Sequence, residues 1–219
     1  MGGFLVLNSS NNVVRTVPSK KRKHPEYESK ASQIRELISG IKSDNLREAV
    51  RLPQGVDINE WFAMNTVDFF NQISLLYATL EEFCTQTTCP VMNAGRYEYK
   101  WADGTTITKP KTVSAPKYVE YLIDWVETEI DNEAIFPKNP GEPFPPNFED
   151  FVKRILRKLF RVYAHIYYSH FHQIVALNEQ AHLNTCFKHF LLFVSEFQLV
   201  DKEKEMAPIK SLVETMLDQ

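Results

Sequence analysis

From Ile58 to Leu80 the apolar residues Trp61, Phe62, Met64, Val67, Phe70, Ile73, Leu76, Tyr77 and Leu80 recur close to the three-and-four spacing of one helix face. This predicts a long central helix, with Asp57 as its N-cap. A second wide stripe of Phe151, Val152, Ile155, Leu156, Leu159, Val162, Tyr163 and Ile166 predicts a helix from Phe148 to about Phe171, with Asn147 as its cap. Further helical segments are expected from Tyr27 to about Val50, from Ser114 to about Asn132, from about Asn178 to Phe197, and from Pro208 to Met216. Leu52-Pro53-Gln54-Gly55 carries turn chemistry, and the five prolines between Phe136 and Pro146 rule out regular structure there. Only Tyr97 to Trp101 alternates; with a turn at Asp103-Gly104 and a return over Thr105 to Thr108 it predicts a small β-hairpin. Residues 1–26 are mainly polar and basic and read as a flexible tail. The expected fold is mainly α, a helical bundle over residues 27–219 with one hairpin.

At 219 residues and 43% hydrophobic content, the chain suits one domain with a single core. Fifteen Phe, nine Tyr and three Trp supply core mass and contact anchors. The seven glycines form no phosphate-cradling loop, which argues against nucleotide chemistry. The formal charge of -3 gives no global attraction to nucleic acid, although Lys20 to Lys23 and a cationic stripe beginning at Arg154 are local exceptions. Three cysteines, without a secretory leader or an apolar run near 18 residues, predict a cytoplasmic protein with no transmembrane segment. Met1-Gly2-Gly3 lacks the hydroxyl residue that an acylation signal needs, because Val6 occupies that place.

Cys84-x4-Cys89 and His165-x4-His170 pair four residues of metal-ligating type, with a gap far longer than that of a nucleic-acid finger. A structural zinc ion held by two Cys and two His has no open position for a reactive water. Residues five apart on an ideal helix lie about 140° apart, so His165 and His170 share a metal only through long imidazole reach or a loosened turn near His170. Buried free thiols with packing histidines are the alternative, and Cys186, His172, His182 and His189 compete as ligands. A metallohydrolase with one ligand replaced by water is a further alternative, though the chain has no H-E-x-x-H string.

Arg154, Arg157, Lys158 and Arg161 fall at helical spacing and crowd four cations onto one face. A phosphate or carboxylate would relieve that repulsion; an ordinary solvated face balanced by Glu149 and Asp150 is the plainer explanation. The region from Asp44 to Glu82 has the opposite bias, with Glu60 beside Trp61, which suits a basic partner or simply a soluble helix over a core tryptophan.

Several strings are specific: Asn65-Thr66-Val67-Asp68-Phe69-Phe70-Asn71-Gln72, Glu82-Phe83-Cys84, Cys89-Pro90-Val91-Met92, Trp101-Ala102-Asp103-Gly104-Thr105 and Leu159 through Tyr167. From about Asn45 onward the chain resembles the Mob (Mps one binder) kinase activators, close to the class acting in Hippo-type and mitotic-exit signalling. The resemblance implies a non-catalytic adaptor with structural Zn2+ on Cys84, Cys89, His165 and His170. It also implies that Arg157, Lys158 and Arg161 bind a phosphorylated peptide of a Hippo-type kinase or scaffold. Glu60, Trp61, Met64 and Asp68 would then hold the basic N-terminal regulatory region of an NDR/LATS-class AGC kinase. Thr16 resembles a regulatory phosphosite, whereas Gly40 stands where many members carry another, and Gln54 and Val56 replace acids usual in the family.

Overall fold

The computed structural model describes residues 46–139 and 141–218; Thr16, Gly40 and most of the helix expected from Tyr27 lie outside them. After a single turn, α1 (Leu46–Ala49), the chain enters α2 (Ile58–Ala78). Asp57 caps α2 as its sequence position predicts, with Oδ1 accepting from the amides of Asn59 at 2.9 Å and Glu60 at 3.2 Å. α3 (Ala115–Asp131) carries Pro116 in its first turn, where the missing N–H has no intrahelical acceptor to lose. α4 (Phe148–His165) begins after Asn147. The Asn147 side chain makes no capping bond; its backbone carbonyl accepts from Asp150 and Phe151 instead. α5 (Phe171–Ala176), α6 (Gln180–Glu196) and α7 (Lys210–Asp218) follow, the last entered through a 3-10 turn at Ala207–Ile209.

α2 and α4 pack together at the centre, α3 lies against both, α6 covers α2, and α7 closes onto α6. Aromatic edges bind these layers. Phe69 of α2 meets Phe190 and Phe193 of α6 edge-on at 5.3 Å each, and Phe62 meets Phe193 in the same manner at 6.2 Å. Among the described residues no helix is long and apolar enough to cross a membrane.

The hairpin lies earlier than the alternation predicts. Its strands are β1 (Asn93–Ala94) and β2 (Tyr97–Glu98), antiparallel, turning at Gly95 with φ +60. Thr105 to Thr108 form no strand, because Asp103 Oδ1 captures the amides of Thr105 and Ile107 at 2.8 Å each and curls the segment into a loop. Trp101 pairs instead with Lys111, exchanging two backbone bonds of 2.8 Å that close the loop at its base. Backbone bonds from Ala115 to Cys89 and from Met92 to Val113 tie the cysteine loop to the start of α3. β1 lies against α4, which fixes where that loop meets the histidines.

Candidate functional site

Cys84 closes the turns that follow α2, its amide donating to the Leu80 carbonyl at 2.7 Å. A further turn to Cys89 is held by Thr88, whose hydroxyl donates to the Phe83 carbonyl at 2.6 Å and accepts from the Thr85 amide at 2.9 Å. The two thiols thereby face α4 from a short, rigid loop. Opposite them α4 widens into a π-helical turn at Ile166–His170 before α5 continues. Bonding from i to i+5 stacks residues five apart, so the distortion brings His170 onto the face of His165. Of the two routes that the His-x4-His spacing leaves open, the loosened turn near His170 is present.

Cys84 Sγ lies 3.5 Å from His165 Nε2, and Cys89 Sγ lies 3.3 Å from His170 Nε2. All four ligand atoms fall within 4.8 Å of one another, and all four residues are buried. His165 Nδ1 sits 2.8 Å from the Asn93 carbonyl; a carbonyl only accepts, so Nδ1 carries the proton and the Nε2 lone pair faces the sulfur. Burial pushes the Cys84 thiol up to about 12, against a lowering bond from Tyr77. Burial pulls His170 down to about 4, with His165 and His172 adding to the effect, and it lowers His165 as well. Two sulfur and two imidazole nitrogen ligands, buried and converging on one point, could hold a metal ion. Cys186 stands apart, 3.8 and 3.9 Å from the ring nitrogens of His182, and His189 packs on Phe69. The tertiary arrangement thus chooses among the candidate ligands that spacing leaves open.

Gly95 is part of the support for this centre, since its left-handed turn aims Asn93 at His165. A Cβ there would stand 2.9 Å from the ring tip of Tyr168, an exposed side chain that can swing aside. Gly95→Ala is expected to lower stability by about 1 kcal/mol, chiefly through the backbone conformation, read as a melting temperature lower by about 2–4 °C.

The acidic face is partly committed to local structure. Asp57 caps α2, Glu48 pairs with Arg51 at 3.2 Å, and Glu60 and Asp68 are half-buried along α2. Trp61 and Met64 are core residues, and the Trp61 indole donates to the Val50 carbonyl at 3.2 Å. Expected as contact residues, these two support that face from beneath without reaching solvent.

The cationic stripe is not the solvated face balanced by Glu149 and Asp150. Lys158 is only 7% exposed and donates to the Ala102 carbonyl at 2.7 Å, with its ammonium 4.4 Å from the centre of the Trp101 ring. Arg154 donates to the Asp103 carbonyl at 2.7 Å and lies over the ring of Trp125. Arg161 forms a two-pronged pair with Glu205. Burial, reinforced by Arg161, Arg157 and Arg154, pulls Lys158 down to about 7, while Asp103 acts the other way. Arg157 remains the most open of the four, its side chain 45% exposed.

Periodicity misses two contributors, the Asn93 carbonyl on His165 and Glu205, 44 residues beyond Arg161, and it places Tyr77 on the α2 stripe without its contact to Cys84; tertiary contacts bring these in. Asn93 had a faint signal in the Gly95 turn beside it.

The Mob1/phocein family model matches residues 39–209. The chain is 97% identical over 219 residues, the full length of both, to MOB kinase activator-like 2A of Arabidopsis thaliana. It is 63% identical over 191 residues to MOB kinase activator-like 1A of the same plant, covering 86% of this chain and 88% of that one. It is also 54% identical over 200 residues to MOB kinase activator-like 1 homolog A of Dictyostelium discoideum, covering 90% and 93%.

Proposed function

The chain belongs to the Mob1/phocein family, and on that premise we propose that it is a non-catalytic co-activator that grips the regulatory region of a kinase. The observation that carries this reading is 97% identity along the whole chain to MOB kinase activator-like 2A. The kinase is of the NDR/LATS class of AGC enzymes, engaged through its basic N-terminal regulatory region on the face of Glu60 and Asp68. Binding preferentially to the active conformation shifts the kinase population toward it. Arg157, Lys158 and Arg161 take a phosphorylated peptide from a Hippo-type kinase or a scaffold, linking the two partners in pathways of the mitotic-exit and cytokinesis type. Thr16 is the candidate phosphosite for regulating the complex. The protein works in the cytoplasm and at spindle poles, the division site or the nucleus.

The ion on Cys84, Cys89, His165 and His170 is zinc, in a structural role. A tetrahedral zinc with sulfur at about 2.3 Å and nitrogen at about 2.0 Å sets S···N separations near 3.5 Å, and the observed 3.5 and 3.3 Å suit that spacing. Four protein donors fill the coordination shell and leave no position for an activated water, which removes the metallohydrolase alternative.

The test is titration of the full chain with a basic peptide from the N-terminal regulatory region of an NDR-class kinase, comparing wild type with Glu60→Lys. Binding that the charge reversal weakens by about tenfold or more, or about 1.4 kcal/mol, supports the kinase surface. A folded wild type that ignores the peptide would move the kinase contact elsewhere, with Gln54 and Val56 as the first positions to examine.

A further inference from the structure

Arg161 is the cation of the stripe paired most closely with a carboxylate. Its Nε donates to Glu205 Oε2 at 3.1 Å, and its Nη2 lies 3.1 and 3.0 Å from Oε1 and Oε2. A phosphate monoester would use the same two-pronged geometry. Glu205 Oε1 also lies 4.0 Å from Arg157 Nε, so one internal carboxylate stands between two of the three residues assigned to phosphopeptide binding. The side chains of Arg161 and Glu205 are 19% and 17% exposed, which shields the pair from solvent.

The loop beneath Glu205 is fixed. Glu203 and Lys204 donate their amides to Asp201 Oδ1 at 3.0 and 3.1 Å, the Glu205 amide donates to the Asp201 carbonyl at 3.0 Å, and Met206 is buried. Withdrawal of the carboxylate therefore needs side-chain rotation and no rebuilding of the backbone. The remaining cations rest on neutral acceptors, Arg154 on the Asp103 carbonyl and Lys158 on the Ala102 carbonyl. Even with Lys158 lowered and the Asp103 carboxylate nearby, the three arginines outnumber Glu205 and Asp103, and the stripe keeps a positive excess.

We propose that Glu205 is a specificity-determining residue, a resident carboxylate that fills the Arg161 fork and restricts the cationic stripe to phosphate monoesters over peptide carboxylates. This rests on the phosphopeptide reading above and specifies how that site chooses its ligand. An incoming Asp or Glu would replace one carboxylate with another and leave Glu205 displaced beside a like charge. A phosphate carries roughly -1.5 to -2 at neutral pH with three acceptor oxygens, and can engage Arg161, Arg157 and Lys158 together. The resident anion thus lowers the affinity of every anionic ligand but leaves only the more highly charged one with a net gain.

The experiment uses the full chain and a fluorescent peptide with one phosphothreonine flanked by Gly and Ala, beside a twin carrying Glu in its place. Wild type is expected to bind the phosphopeptide and not the Glu twin. Glu205→Gln is expected to bind the phosphopeptide about tenfold more tightly, a change of about 1.4 kcal/mol, and to gain binding of the twin. Unchanged or weaker phosphopeptide binding by folded Glu205→Gln overturns the proposal and makes Glu205 a support for Arg161, with the phosphopeptide reading intact. Failure of both proteins to bind the phosphopeptide overturns that reading and the proposal together. A wild-type competition needs no variant: inorganic phosphate should displace the bound peptide and acetate at equal concentration should not, and equal displacement overturns the proposal.

Discussion

Cys84→Ser, or exhaustive chelation of the wild type, is expected to remove the metal and lower the melting temperature by at least about 10 °C, with loss of a single cooperative transition. Cys84 and Cys89 lie 81 residues from their histidine partners, so an ion held there would close a long loop between the end of α2 and the π turn after α4. Structural zinc contributes about 10–16 kcal/mol to folding in small zinc-finger peptides, comparable with the whole stability of an ordinary domain, about 5–15 kcal/mol. The aromatic core of this larger chain is contiguous with the site but far more extensive than a zinc-finger core, so partial structure in α2, α4 and α6 should persist after metal loss. Binding must strip the proton from a Cys84 thiol that burial holds up to about 12. Protons and metal therefore compete, and apparent metal affinity falls as the pH falls. Metal content and melting curves provide the measurement, with Cys186→Ser as the comparison that keeps its metal. A Cys84→Ser protein with full metal content and an unshifted transition would remove the centre from the account.

Trp61→Ala is expected to cost about 3–5 kcal/mol of unfolding free energy, the second large effect. The indole is fully buried, lies 6.5 Å from the Phe193 ring, and donates to the carbonyl of Val50 at 3.2 Å. Truncation leaves a cavity between α2 and α6 and an unpaired carbonyl at the entry to α2. Trp61→Phe keeps most of the packing but loses the hydrogen bond, about 0.5–1.5 kcal/mol, and should fall between wild type and Ala. Urea denaturation separates the three proteins. The opposite pattern, a small stability change with collapse of binding to the kinase peptide, would make Trp61 an interface anchor that reaches its partner directly.

What periodicity determines here is the set of long helices. The stripes of α2 and α4 are wide, and Asp57 and Pro116 mark helix starts through local backbone chemistry that needs no tertiary partner. Residue type also marked the four candidate metal donors, because one Cys-x4-Cys and one His-x4-His pair stand out in a chain with three cysteines and six histidines. Their selection over Cys186, His182 and His189 came from packing, since a metal cluster depends on distances across 81 residues that one-dimensional spacing does not contain. The π turn follows the same division: the spacing required some distortion, but its form depends on how α4 meets β1 and the cysteine loop. The hairpin moved because alternation does not specify register, and the Asp103 carboxylate won the amides of Thr105 and Ile107. The cationic stripe carried its charge openly in the sequence, but its acceptors did not appear there. Ala102, Asp103 and Glu205 reach it only because the loop after β2 and the turn before α7 fold against α4, where desolvation compels each buried cation to find a partner.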